Sequence, residues 1–281
     1  MTITTASTVA LAVLDAADRL TLHSTFESGV NLRCGDYLVH VATEPRGGAC
    51  SLGVTPADLD ALRASADWEW TGDALVGAPG RGVIRLDPTA HLYSAEAPRL
   101  AGPPSGDPRR FDHARAASAR PSWFDSGVGL ELGLPRMRDA IVSLVERRSD
   151  AGERVRAVVG LGIGLTPSAD DALVGALCVL AAHGSACATL TRELADWLRT
   201  EGAAATTDVS SSYLRLALDG AFSAPLNCAV ACLTTDSTDA DLAAAVVGLC
   251  GIGATSGMDA ALGVQIAWEA LVPVPARPHR T

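Results

Sequence analysis

Two similar runs hold the residues best suited to chemistry: GIGLTPSADD at 162–171 and GIGATSGMD at 251–259. Aligned with one gap, they pair Gly162 with Gly251, Gly164 with Gly253 and Thr166 with Thr255, then Ser168 with Ser256, Asp171 with Asp259 and Gly175 with Gly263. Both follow an apolar lead-in, VRAVVGL or AAVVGLC, and both enter an apolar helical stretch. Glycines permit positive φ and close backbone approach. Free N–H groups at a helix start form a concave anion site favoured by the helix dipole. Thr and Ser hydroxyls can bond phosphate or carboxylate oxygens, and Asp170 and Asp171 can hold an amide or amine nitrogen, or a Mg²⁺ bridging to phosphate.

Helix capping accounts for part of this pattern equally well. Ser168-x-x-Asp171 and Ser256-x-x-Asp259 both fit a capping box, and Thr166-Pro167 is a helix-start signal. Capping leaves the Gly-x-Gly pairs and Asp170 unexplained. The loops are neither a phosphate-binding P-loop nor a dinucleotide fingerprint, since GK[ST] and the third glycine of G-x-G-x-x-G are absent.

The loops resemble those of the AllH-type oxamate carbamoyltransferase subunit family, whose first motif reads close to GxGPGLTPSGDDFLxG. The matching run here is Gly160 to Gly175, Thr206 to Gly220 is similar to the second motif, and Gly253 to Asp259 to the third. Ala169 and Ile163 depart from the usual glycine and proline. The resemblance implies a subunit of a multi-subunit enzyme transferring carbamoyl or carboxyl groups, with a biotin-independent carboxylase as a related possibility. Its ligands would be a small amide or carboxylate, with carbamoyl phosphate or phosphate. On that reading Asp170, Asp171 and Asp259 are the catalytic candidates. Gly162, Gly164, Thr166, Ser168, Ser210, Tyr213, Gly253, Thr255, Ser256 and Asn31 would bind substrate. Catalysis would come from positioning and charge stabilisation. Two other classes stay open: a non-catalytic structural or regulatory subunit, and a small-anion binding protein.

The remaining titratable residues are blander. His23, His40, His91, His113, His183 and His279 show no metal spacing, and His40 on an alternating strand is the most suggestive of them. NLRCGD at 31–36 reads as a surface turn, although Asn31 or Arg33 could reach a carboxylate. No Ser/His/Asp order and no G-x-S-x-G is present. Seven cysteines without C-x-x-C spacing read as reduced thiols.

The elements that must position the loops follow from the patterning. DYLVHV at 36–41 and GVIRL at 82–86 alternate as strands, 9–20 has helical character, and Thr55-Pro56 opens a helix to Ala64. Residues 95–122, rich in Ala, Pro, Arg, Ser and Gly, read as a linker or mobile loop. Helices are expected at 135–148, 170–183, 190–201, 210–219, 226–233, 239–249 and 258–271, and 272–281 as a tail. This predicts an α+β fold: a strand-containing N-terminal portion (domain 1–120) and a helical C-terminal portion (domain 121–281) carrying both loops. A net charge of −10 without Lys/Arg clusters argues against nucleic acid. No basic leader precedes Asp15, and no apolar run reaches the ~20 residues of a membrane span, so a cytoplasmic location is expected.

Overall fold

The computed structural model describes residues 1–43, 47–77, 82–100, 107–184, 186, 188–233 and 237–272. Cys187, His279, the expected tail from 273 onward and 101–106 of the expected linker lie outside the described residues.

The N-terminal strands do more than form a mixed portion: they close on themselves. The eight strands β1 (Thr2–Ser7), β2 (Leu20–Thr25), β3 (Gly29–Cys34), β4 (Tyr37–Ala42), β5 (Ser51–Val54), β6 (Asp67–Trp70), β7 (Ala74–Gly77) and β8 (Val83–Tyr93) form a barrel in the order β1-β5-β4-β3-β2-β6-β7-β8. Parallel pairing of β1 with β8 closes it, with Ile3 opposite Leu86 and Ala6 opposite Leu92. Closure leaves no unpaired strand edge. Period-2 alternation decides what faces in: Val30, Leu32, Val39, Val41 and Leu52 fill the interior with Ile3, Leu20, Leu75 and Ile84. Asn31, His40 and Ser51 fall on the opposite phase, outside the wall.

Within this half, α1 (Thr8–Asp15) is capped by Ser7, and α2 (Pro56–Arg63) by the expected Thr55 with proline in its first turn. The expected turn at NLRCGD is instead strand β3, with the reversal at Gly35 (φ +58°), the first residue after it. Asn31 is therefore buried.

Nine α-helices follow among the described residues: α3 (Arg109–Ala117), α4 (Leu134–Val145), α5 (Ala151–Arg156), α6 (Ser168–Ala182), α7 (Ala188–Arg199), α8 (Asp208–Leu218), α9 (Ala224–Ala231), α10 (Asp239–Cys250) and α11 (Ser256–Leu271). Part of the expected linker is thus α3, whose Phe111 is fully buried and meets Trp268 of α11 edge-on at 6.1 Å. Ala95, Ala97 and Leu100 at the start of that segment also pack on the cores, and polar neighbours hid these anchors. No helix among the described residues is long and apolar enough to cross a membrane.

The expected clean division into a stranded portion followed by a helical one is corrected by α8. Its Leu216, together with Ala221, joins the barrel core, while its Leu214 and Ala217 join the helical core. Polar contacts fasten α8 to the β2-β3-β4 wall. The Leu38 N–H donates to Ser212 Oγ at 2.9 Å, and Tyr37 Oη donates to Asp219 Oδ2 at 2.6 Å. Arg215 donates to the Asp36 carbonyl, and Asp208 pairs with Arg33. The hydrophobic pattern of a single helix cannot announce that its two faces belong to different cores.

Candidate functional site

Helices α6 and α11 carry the two loops and cross each other closely. At Gly175 an added methyl would land on the Ala260 carbonyl, and at Gly263 on the Ala172 carbonyl. Ala172 and Ala260 follow the paired Asp171 and Asp259, so the contact is reciprocal, as in a two-fold interface between identical units. The loop starts obey the same exchange. Thr166 Oγ1 and Ser256 Oγ hydrogen-bond at 2.8 Å, joining one loop to the other helix. The Ser256 and Thr166 hydroxyls stand beside Asp171, and the Ser168 and Thr255 hydroxyls beside Asp259.

Neither serine caps its helix. The cap positions are Pro167 and Thr255, and neither accepts a side-chain cap bond. Ser168 and Ser256 are first helical residues whose hydroxyls turn toward the opposite helix, which overturns the capping-box expectation.

The adjacent carboxyls of the first loop diverge. Asp170 is a latch: Oδ1 accepts the Gly160 N–H at 2.8 Å, and Oδ2 accepts the hydroxyls of Thr206 and, at 2.6 Å, Ser210. Thr207 fastens the same loop by donating to the Leu165 carbonyl. Gly162 makes this possible, with φ +130° and a Cα packed against the Ser168 amide where no side chain fits. Asp171 instead borders a cavity of about 540 Å³ between the outer barrel wall and the helices. Its Oδ2 is buried without a hydrogen-bond partner among the described residues. Burial, above all, pushes its pKa well up, and the nearby Asp259 adds to the rise. Asp171 is therefore held toward the neutral acid, which donates as well as accepts a hydrogen bond.

The barrel supplies His40, Ser51 and Ser28 to the opposite wall, and α8 supplies Tyr213. Burial pushes the Tyr213 phenol up to about 12, with Asp171 the next contributor. Phe222, Leu226 and Leu249 add an apolar wall.

Residues 158–268 match the family model described as oxamate carbamoyltransferase subunit AllH. The match spans both loops and the helices between them. No curated protein and no solved structure matches the chain.

Within the matched region the structure gathers Thr166, Asp171, Tyr213, Gly253 and Ser256 around the cavity. Asp170 and Ser210 do not line it but hold the first loop from behind, and Gly162 and Gly164 lie on that loop outside the lining. Ser168 and Thr255 lie beside Asp259, which is fully buried and accepts the Ser122 hydroxyl. Asn31 reaches the site only through His40. His40 and Ser51 are the residues that sequence reasoning did not place there. The alternation of DYLVHV puts His40 out of phase with Val39 and Val41, but what covers that face was not readable. Among the described residues no group of three or more His, Cys, Asp or Glu side chains could hold a metal ion. Asp170 and Asp171 bond to different partners and do not converge on one point.

Proposed function

We propose that the chain is a subunit of an enzyme transferring a carbamoyl or carboxyl group to or from a small amide or acid, and that the cavity holds that molecule. The observation carrying this reading is Asp171, a buried carboxyl with an unpartnered oxygen at the wall of a hydroxyl-lined cavity. A neutral carboxylic acid donates one hydrogen bond and accepts another, which complements the C=O and N–H of a carbamoyl or amide group. Thr166, Ser256 and Tyr213 add neutral donors around it.

Phosphate or carboxylate would be held where Leu165 and Thr166 border the cavity. The N–H groups of Gly162 to Thr166 have no acceptor among the described residues, and α6 directs its positive end there. No Lys or Arg among the described residues lines the cavity, so the charge of a phosphate is met only in part by this chain. That favours a site completed by companion subunits. Ile163 and Leu165, 66% and 57% exposed on the loop, supply an apolar lip for such a contact.

Thermal unfolding with oxamate, carbamoyl phosphate or phosphate tests the reading, because a ligand bound only by the native state raises Tm. Oxamate is expected to raise Tm in the wild type and not in Asp171→Leu. Should none of the three move Tm while Ile163→Ser with Leu165→Ser frees companion subunits, the chain is the non-catalytic subunit.

A further inference from the structure

We propose that His40 presents an unprotonated Nε2 to the cavity as the acceptor for an amide or carbamoyl N–H, and that Asn31 is the positioning residue fixing this tautomer. The inference deepens the proposed function and rests on it for the ligand.

The argument is one of hydrogen-bond bookkeeping. His40 Nδ1 lies 2.9 Å from Asn31 Oδ1. A carbonyl oxygen only accepts, so Nδ1 must carry the proton and Nε2 the lone pair. Asn31 Nδ2 donates to Ser24 Oγ at 3.1 Å, which sets its carbonyl toward His40. Ser24 is in turn held from outside. Its Oγ lies 3.1 Å from His23 Nδ1, and His23 Nε2 lies 3.2 Å from Asp208 Oδ2, which also takes the Arg33 guanidinium. Asp208 accepts from Nε2–H of His23, leaving Nδ1 to accept the Ser24 hydroxyl. With His23 neutral, every donor then meets an acceptor from the surface carboxylate to the His40 ring.

The far edge of the ring is what remains for the cavity. Nε2 has no hydrogen-bond partner among the described residues, and Gly29 leaves it room, since a methyl there would stand 2.8 Å from Cε1 and 3.1 Å from Nε2. Burial lowers the His40 pKa, which keeps the ring neutral and the lone pair free. The wall opposite carries Asp171 as a donor to a carbonyl oxygen. An acceptor on one side and a donor on the other suit the two ends of a primary amide.

Long-range ¹H–¹⁵N correlation of the imidazoles in the full chain reads the tautomer directly, with His40→Gln assigning the signal. The expected pattern is protonated Nδ1 and bare Nε2, and oxamate is expected to shift Nε2. Asn31→Leu should release the ring to the Nε2–H form and weaken oxamate binding about tenfold, the worth of one buried hydrogen bond. Asn31→Asp, which keeps the acceptor, should restore the tautomer. An Nε2–H signal in the wild type overturns the inference, as does oxamate binding that leaves Nε2 unmoved. If oxamate does not bind at all, the ligand half falls with the proposed function, while the tautomer of the free protein still decides the role of Asn31.

Discussion

The two loop–helix units are alike where they touch each other and unlike where they meet the rest of the molecule. At the crossing, each glycine accepts the other helix's carbonyl and each carboxyl faces the other helix's serine. Away from it, the first loop has Asp170 fastened to α8, and the second has Met258 at the corresponding position, packed against Ser118. Asp259 is closed in by Ser122, while Asp171 opens on the cavity. A duplicated motif has thus diverged at its carboxyls: both copies border the cavity, but of the two paired aspartates only Asp171 lines it. Similar residues do not imply similar roles, because the role is set by what covers them.

The crossing is where the comparison breaks most visibly. Gly175→Ala or Gly263→Ala drives a methyl into a backbone carbonyl, and neither helix can move without uncoupling both loops. Each is expected to cost about 3 kcal/mol in urea unfolding, the upper range for overpacking a filled core. Similar losses from the two variants would support the reciprocal crossing, and a loss from one alone would refute it.

The carboxyls come next. Asp259→Ala strips the buried Ser122 hydroxyl of its acceptor and should cost about 2 to 3 kcal/mol. Asp171→Asn keeps a donor and an acceptor beside the Ser256 and Thr166 hydroxyls without a buried titrating group, so stability at neutral pH should stay at or above wild type, while Asp171→Leu is the variant that loses the response to oxamate. That trade is characteristic of a group kept for its function at a cost in stability. Equal destabilisation by Asp259→Ala and Asp171→Asn would mean that Asp171 is also a buttress. Asp170→Asn turns one acceptor of the latch into a donor facing the Thr206 and Ser210 hydroxyls. A cost of about 2 kcal/mol is expected, with faster hydrogen exchange at 160–166.

How much of this was legible follows from the kind of force involved. The helices after Leu134, α5 excepted, were readable as apolar or amphipathic stretches of helical length between breakers, and α2 was announced by Thr55 and Pro56. The loops were readable because glycine, threonine and aspartate at fixed spacing have few other uses. Barrel closure was not readable: β1 pairs with β8 across some eighty residues of chain, and short strands carry no record of their partners. Nor was the division of labour between Asp170 and Asp171. It depends on Thr206 and Ser210 arriving from α8 on one side and His40 from β4 on the other. The cap assignment failed for a related reason, since both serines sit one residue inside the helix, where their hydroxyls face the opposite helix.

The finest distinction between the loops is titrational. The unfolded chain ionises Asp171 near its ordinary value of 3.8, whereas burial holds the folded carboxyl protonated to higher pH. Between those two values the native state carries the extra proton, so ∂ΔG/∂pH is negative. Asp171's contribution is complete below the unfolded value and is lost as pH rises through the folded one. One such group changes stability by at most about 1.4 kcal/mol per pH unit. Asp170 and Asp259 are also shifted upward by burial, so the wild type alone does not isolate the effect. The difference between Asp171→Asn and wild type does: it should grow in the variant's favour from about pH 4 toward neutrality. Parallel curves across that range would mean that Asp171 is ionised in the folded protein. The cavity would then present a negative charge to its ligand, and the amide-donating role would pass from Asp171 to Tyr213 and the Thr166–Ser256 pair.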